Sequence, residues 1–98
     1  MNFEWDPKKD RVNQKIHGIS FSTAKFVFND IERWERYDYS HSKTEERWQT
    51  IGLVNKVIFV VFTEYGETVR IISARMADEN ERRLYNGKRN IEGWTKAN

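Results

Sequence analysis

Apolar residues along this chain fall first at helical spacing, then in alternation, then at helical spacing again. Phe3 and Trp5 alternate with polar neighbours and predict a short extended piece. Asp6-Pro7 then opens a helix, with Asp6 as N-cap and Pro7 at the first helical position. Val12 and Ile16, four apart, give this helix a narrow apolar stripe, and Gly18 closes it behind His17 with a left-handed cap. A second helix is predicted from Phe21-Ser22-Thr23-Ala24-Lys25-Phe26. Ser22 can cap it while Phe21 and Phe26 form a hydrophobic staple. Ala24, Val27 and Phe28 supply its buried face, and Asn29-Asp30 ends it.

The middle of the chain changes period. Ile31 to Tyr39 is crowded with charge around Trp34 and Tyr37, and its middle reads as an edge strand, where charge is tolerated best. Ser40 to Glu46 is a polar loop. Arg47 to Val54 is a strand, Asn55-Lys56 a tight turn, and Val57 to Glu64 a strand apolar on both faces, hence central. Tyr65-Gly66-Glu67 turns the chain into Thr68-Val69-Arg70-Ile71-Ile72-Ser73-Ala74-Arg75. Connections this short make the three strands antiparallel neighbours.

The strand after that turn carries an uncommon feature. Strict alternation puts Val69 and Ile71 on one face and Arg70 with Ile72 on the other, so a guanidinium sits in apolar company. Such a charge needs an anion, either a ligand phosphate or an internal carboxylate. Arg75 is expected just past the strand end. Five residues from Arg70, it reaches the same face only if the chain bulges or turns at Ser73-Ala74. Asp78-x-x-Glu81 is a capping box for a last helix that carries Leu84 and Tyr85 inward and ends at Gly87. Lys88 to Asn98 is polar except for Ile91 and Trp94 and is expected to be a mobile tail of the single domain, residues 1–98.

Composition narrows the chemistry. The chain has no cysteine and only two histidines, His17 and His41, which leaves no thiolate nucleophile and no convincing metal cluster. A net charge of +2 is mildly basic and compatible with a nucleic-acid partner. The apolar run Val57 to Phe62 is too short to span a bilayer, and the first residues do not read as a signal peptide, so the cytoplasm is the expected location.

Several short motifs resemble one family. Phe3-Glu4-Trp5-Asp6-Pro7, Asn13 with His17-Gly18-Ile19, and Phe21 with Ala24 and Val27-Phe28 are similar to the first half of the BrnT toxins. His41-Ser42, Glu45-Glu46-Arg47, Ile51-Gly52, Arg70 to Arg75, Ala77, and Glu81-Arg82 with Tyr85 are similar to the second half. Ile16 and Ile31 depart from it, standing where the family usually has lysine and proline. The resemblance implies an α+β, RelE-like fold of two N-terminal helices, a four-stranded antiparallel sheet and a C-terminal helix. It also implies a ribonuclease toxin of a type II toxin–antitoxin pair. Its partner would be a ribbon-helix-helix, BrnA-like antitoxin in a two-plus-two heterotetramer, and operator DNA would be bound only through that antitoxin.

Cleaving RNA without a metal or other cofactor needs a base for the 2′-hydroxyl, charge stabilisation at phosphorus and an acid for the leaving oxygen. Arg70 and Arg75 suit the charge role. His41 has the range for base or acid, and Glu46 becomes a base if a low-dielectric setting raises its pKa. Arg47, Tyr85 and Lys25 are candidate substrate-binding groups. The same residues also fit a non-catalytic basic module that binds a protein partner or DNA.

Overall fold

The computed structural model describes residues 1–98. In chain order it has β1 (Asn2–Glu4), α1 (Pro7–His17) and α2 (Phe21–Ala24), the last running into a 3-10 turn over Lys25–Asn29. Then come β2 (Trp34–Tyr37), a 3-10 turn over Tyr39–His41, β3 (Trp48–Val54), β4 (Lys56–Tyr65), β5 (Thr68–Met76), α3 (Glu79–Tyr85) and β6 (Thr95–Lys96). No helix is long and apolar enough to cross a membrane.

The local start and stop signals act largely as the sequence predicts. Asp6 accepts from the Lys8 amide at 2.9 Å, and Gly18 takes φ 72° behind α1. Both halves of the Asp78–Glu81 capping box are formed. The second helix differs from expectation. Its N-cap is Ser20, whose Oγ accepts from the Thr23 amide at 3.1 Å, so Ser22 lies inside the helix. Phe21 is fully buried as the first helical residue, and the helix starts two residues earlier than expected. After Ala24 the segment tightens into the 3-10 turn, so the N-terminal layer is one full helix and one short one.

The sheet has six strands in the order β1-β5-β4-β3-β2-β6, where four antiparallel strands were expected. The four predicted strands form the antiparallel centre. β1 is added parallel to β5, and the two-residue β6 is added antiparallel to β2. β1 is the extended piece expected around Phe3, while β6 is too short to show an alternation of its own; both join because an open sheet edge offers them hydrogen bonds. Where β1 stops, Asn13 on α1 takes over the β5 edge. Its Nδ2 donates to the Ala74 carbonyl (2.8 Å) and the Ile19 carbonyl (2.9 Å), while its Oδ1 accepts from the Ala74 amide (3.1 Å). A side-chain amide thus stands in for a strand peptide.

β4 is central and apolar on both faces, as its sequence indicated. Ile58, Val60 and Phe62 meet the link after α1, α2 and the 3-10 turn through Ile19, Phe21, Ala24 and Val27. Phe59, on the other face, joins Ile51, Leu84 of α3 and Trp94. Gly52 on β3 lets the first layer come close, because a Cβ there would lie 2.7 Å from the Val27 methyl. The polar tail folds back instead of trailing off. Trp94 is only 7% exposed, β6 pairs with β2, and the Ala97 amide donates to the Arg33 carbonyl. The tail is held by Trp94 against Phe59, ring centroids 6.4 Å apart, and by Lys96, 5.1 Å from the Trp34 ring centroid.

Candidate active face

Register decides which side chains share a surface. β5 carries a bulge at Ile72: Val61 of β4 faces Ser73, but the next residue, Phe62, faces Ile71. The extra residue reverses the side-chain parity. Arg70 opposite Thr63, Ser73 opposite Val61 and Arg75 opposite Phe59 therefore all project from the same face. The bulge lies one residue before the Ser73-Ala74 position expected from sequence, yet it has the effect that was required. Arg75 also does not follow the strand; β5 continues to Met76 with Arg75 still paired. Along β5 the two arginines stand four pairs apart, about 13 Å between Cα atoms.

Extending the pairing across the sheet gives three rows on this face, the first two largely polar. In one, the Asp38 amide donates to the Arg47 carbonyl (2.9 Å), and Arg47 precedes β3 with the parity of Gln49. Thr63, Arg70 and Glu4 continue that row. The central row is Arg36, Gln49, Val61 and Ser73, and the third is Trp34, Ile51, Phe59 and Arg75. α3 and the tail cover the third row. The first two rows are less covered, and they collect Arg36, Arg47 and Arg70.

Each arginine is partly occupied. An Arg70 Nη donates to Glu4 at 2.6 Å, the one hydrogen bond its guanidinium makes, which leaves the other nitrogens free for a ligand. Arg75 is held more completely. Its two Nη atoms fork onto Glu81 at 2.8 and 3.0 Å, one also donates to the Met76 carbonyl, and the guanidinium lies 3.9 Å above the Phe59 ring. Glu81 in turn accepts from the Asp78 amide at 2.8 Å, so Arg75 fastens the start of α3 to the sheet. The internal carboxylates that were the alternative to a phosphate are present for both residues.

His41 sits in the 3-10 turn next to Arg47, with Nδ1 at 3.1 and 3.2 Å from the two Asp38 oxygens. Asp38 is buried, whereas the His41 side chain is 66% exposed. Burial acts to raise the Asp38 pKa, but hydrogen bonds from Gln49, His41 and Ser40 outweigh it and hold the carboxyl below its ordinary value. An ionised Asp38 accepts a proton-bearing Nδ1, which leaves Nε2 pointing outward as the acceptor. Neither Asp38 nor Arg36 was singled out from sequence. The Asp38-x-x-His41 spacing was the available signal for one; only the β2 register reveals the other.

The remaining candidates fare differently. Glu46 is exposed and its side chain has no hydrogen-bond partner, so the low-dielectric setting required for a base is missing there. Its neighbour Glu45 accepts from the Tyr65 hydroxyl at 2.5 Å and from Arg47 at 3.4 Å; led by the Tyr65 bond, these contacts depress its pKa. Lys25 belongs to the helical layer on the opposite face, 5.4 Å from the Phe26 ring. Tyr85 packs beside Phe59 and donates to Asp30 at 2.5 Å. Asp30 also caps the Leu53 amide at 2.7 Å, far down β3 from Arg47, so Tyr85 locks the other end of the sheet. Burial first, then the Asp30 bond, raises the Tyr85 pKa well above 10.0.

A family model described as "Ribonuclease toxin, BrnT, of type II toxin-antitoxin system" matches residues 5–81. No curated protein matches the chain. The matched stretch contains Arg36, Asp38, His41, Arg47, Arg70, Arg75 and Glu81, and it ends before Tyr85 and Trp94. The chain therefore belongs to the BrnT family of ribonuclease toxins, whose type II systems pair the toxin with an antitoxin.

Proposed function

We propose that the protein is an endoribonuclease that cuts RNA in the cytoplasm by metal-independent phosphodiester chemistry on the arginine-bearing sheet face. The observation that carries this reading is the Ile72 bulge, which turns Arg70 and Arg75 onto one surface with Arg47 and Gln49. His41 Nε2 takes the 2′-hydroxyl proton while Asp38 holds the opposite ring nitrogen. The 2′-oxygen then attacks phosphorus, the bond to the 5′-oxygen breaks, and the protonated imidazole or solvent returns a proton to the leaving oxygen. Arg70, with free donors, offsets the growing charge at phosphorus, and Arg47 holds the neighbouring backbone. Neutralisation falls to a ribbon-helix-helix antitoxin in a two-plus-two heterotetramer, and the antitoxin rather than the toxin contacts operator DNA.

The test is cleavage of single-stranded RNA by purified protein in excess chelator. The expected products carry 2′,3′-cyclic phosphate and 5′-hydroxyl ends, and Arg70→Ala lowers the rate about a hundredfold or more. RNA left intact until magnesium is added refutes the metal-independent step. RNA that is bound but never cut, with or without metal, replaces the ribonuclease with a non-catalytic binding module. The closed ion pair of Arg75 is what favours that second reading.

A further inference from the structure

The largest cavity, about 560 Å³, opens where β2 runs free of β6. Its walls include Arg36, Tyr37, Tyr39 and Gln49, with Glu92 from the folded-back tail. Arg36 and Gln49 line it from the central row on the arginine face, while Tyr37 and Trp48, in register with the core residue Phe62, line it from the other side of β2, so the cavity wraps the open β2 edge. From Ser73 on β5 to Arg36 on β2 is three strand spacings, roughly 15 Å. An RNA chain lying across the face with a phosphate at Arg70 can place a base there a few nucleotides away.

The chemistry of the cavity is specific. Tyr39 is 86% exposed at its mouth, its ring held in edge contact with Tyr37 at 4.8 Å and otherwise open to solvent. It is a free stacking surface. Arg36 is fixed at two points. Its Nε donates to Gln49 Oε1 at 2.7 Å, and its guanidinium lies 4.6 Å over the Trp94 ring. With Nε taken and the plane set, both Nη atoms remain to donate side by side. Two adjacent acceptors in one plane are what guanine offers at O6 and N7, whereas adenine puts an amino donor against the fork. Cytosine and uracil lack an N7 altogether.

We infer that this cavity is a guanine-binding subsite, with Tyr39 stacking on the base and Arg36 reading its O6/N7 edge. The inference rests on the ribonuclease reading and gives that site a sequence preference near the cut. The probes are short single-stranded RNAs made uncleavable by 2′-deoxy substitution and carrying G, A, C or U at each position in turn. Wild-type protein should bind the oligonucleotide with G at one fixed position at least tenfold more tightly than its A, C or U versions. Tyr39→Ala should weaken all of them about tenfold, Tyr39→Trp should restore binding, and Arg36→Lys should erase the preference for G while the protein stays folded by circular dichroism. A wild type that cuts RNA but binds all four series alike, or a Tyr39→Ala protein that binds as tightly as wild type, overturns the subsite and leaves the ribonuclease standing. A wild type that neither cuts nor binds RNA overturns both.

Discussion

Arg75→Ala and Arg70→Ala should fail in opposite ways, because the structure spends the two guanidiniums differently. The Glu81 side chain is 9% exposed and that of Arg75 36%. Removing Arg75 strands a nearly buried carboxylate and takes away the ring contact with Phe59. Breaking a fully buried pair costs about 3–5 kcal/mol, and the partial exposure of Arg75 brings the expectation to about 2–3 kcal/mol. For a domain of this size that lowers the melting midpoint by roughly 10–20 °C. The Arg70–Glu4 pair lies at an edge with both side chains more than a third exposed, so its loss costs about 1 kcal/mol or less. Its effect should appear in the cleavage rate instead. Glu81→Gln separates charge from geometry, since the amide oxygen still accepts from the Asp78 amide. In that background Arg75→Ala should cost less than half as much, because no uncompensated charge is left behind. Thermal and urea unfolding of the four combinations, with RNA cleavage measured below each midpoint, gives the comparison. An Arg75→Ala protein with the wild-type midpoint and no cleavage would make Arg75 a substrate-touching residue and refute this division of labour. So would an Arg70→Ala protein that melts early and cuts normally.

Asn13→Ala should lower stability by about 2–4 kcal/mol in urea titrations, since it orphans the Ala74 amide and carbonyl at a buried strand edge; a loss under 0.5 kcal/mol would mean that water replaces the plug freely. Gly52→Ala should cost about 1–3 kcal/mol by pushing the Val27 methyl off β3, and pairing it with Val27→Ala should recover part of that loss if the clash is the cause. The depressed pKa values of Asp30 and Asp38 supply stability that is complete above their ordinary value of 3.8 and lost as pH falls through the folded values, so Asp38→Asn should flatten the acid limb of a pH–stability profile. The raised pKa of Tyr85 has the opposite sign: its stability is complete below 10.0 and lost as pH rises beyond that, and Tyr85→Phe should flatten the alkaline limb; an unchanged limb refutes the Asp30 lock.

Local chemistry made the elements legible from the sequence alone. Asp6-Pro7, Gly18 and Asp78-x-x-Glu81 bound their helices because a cap acts within one turn of chain. The two-faced apolar run of β4 declared a central strand because burial on both sides leaves no polar position in the alternation. The family motifs, read as short stretches of sequence, pointed to a ribonuclease toxin, and the family match bears that out. The arginine face was a different matter. Arg70 and Arg75 share it only because β4 pairs with β5 through a one-residue bulge, and a bulge at Ile72 leaves no mark in a β-branched run. Arg36 joins them by the β2–β3 register, and the tail becomes structure only because Trp94 packs against Phe59 and Lys96 against Trp34. Helix ends and strand faces follow from neighbours a few residues away. Which faces come together depends on the pairing of strands distant in the chain, and only the folded sheet decides that.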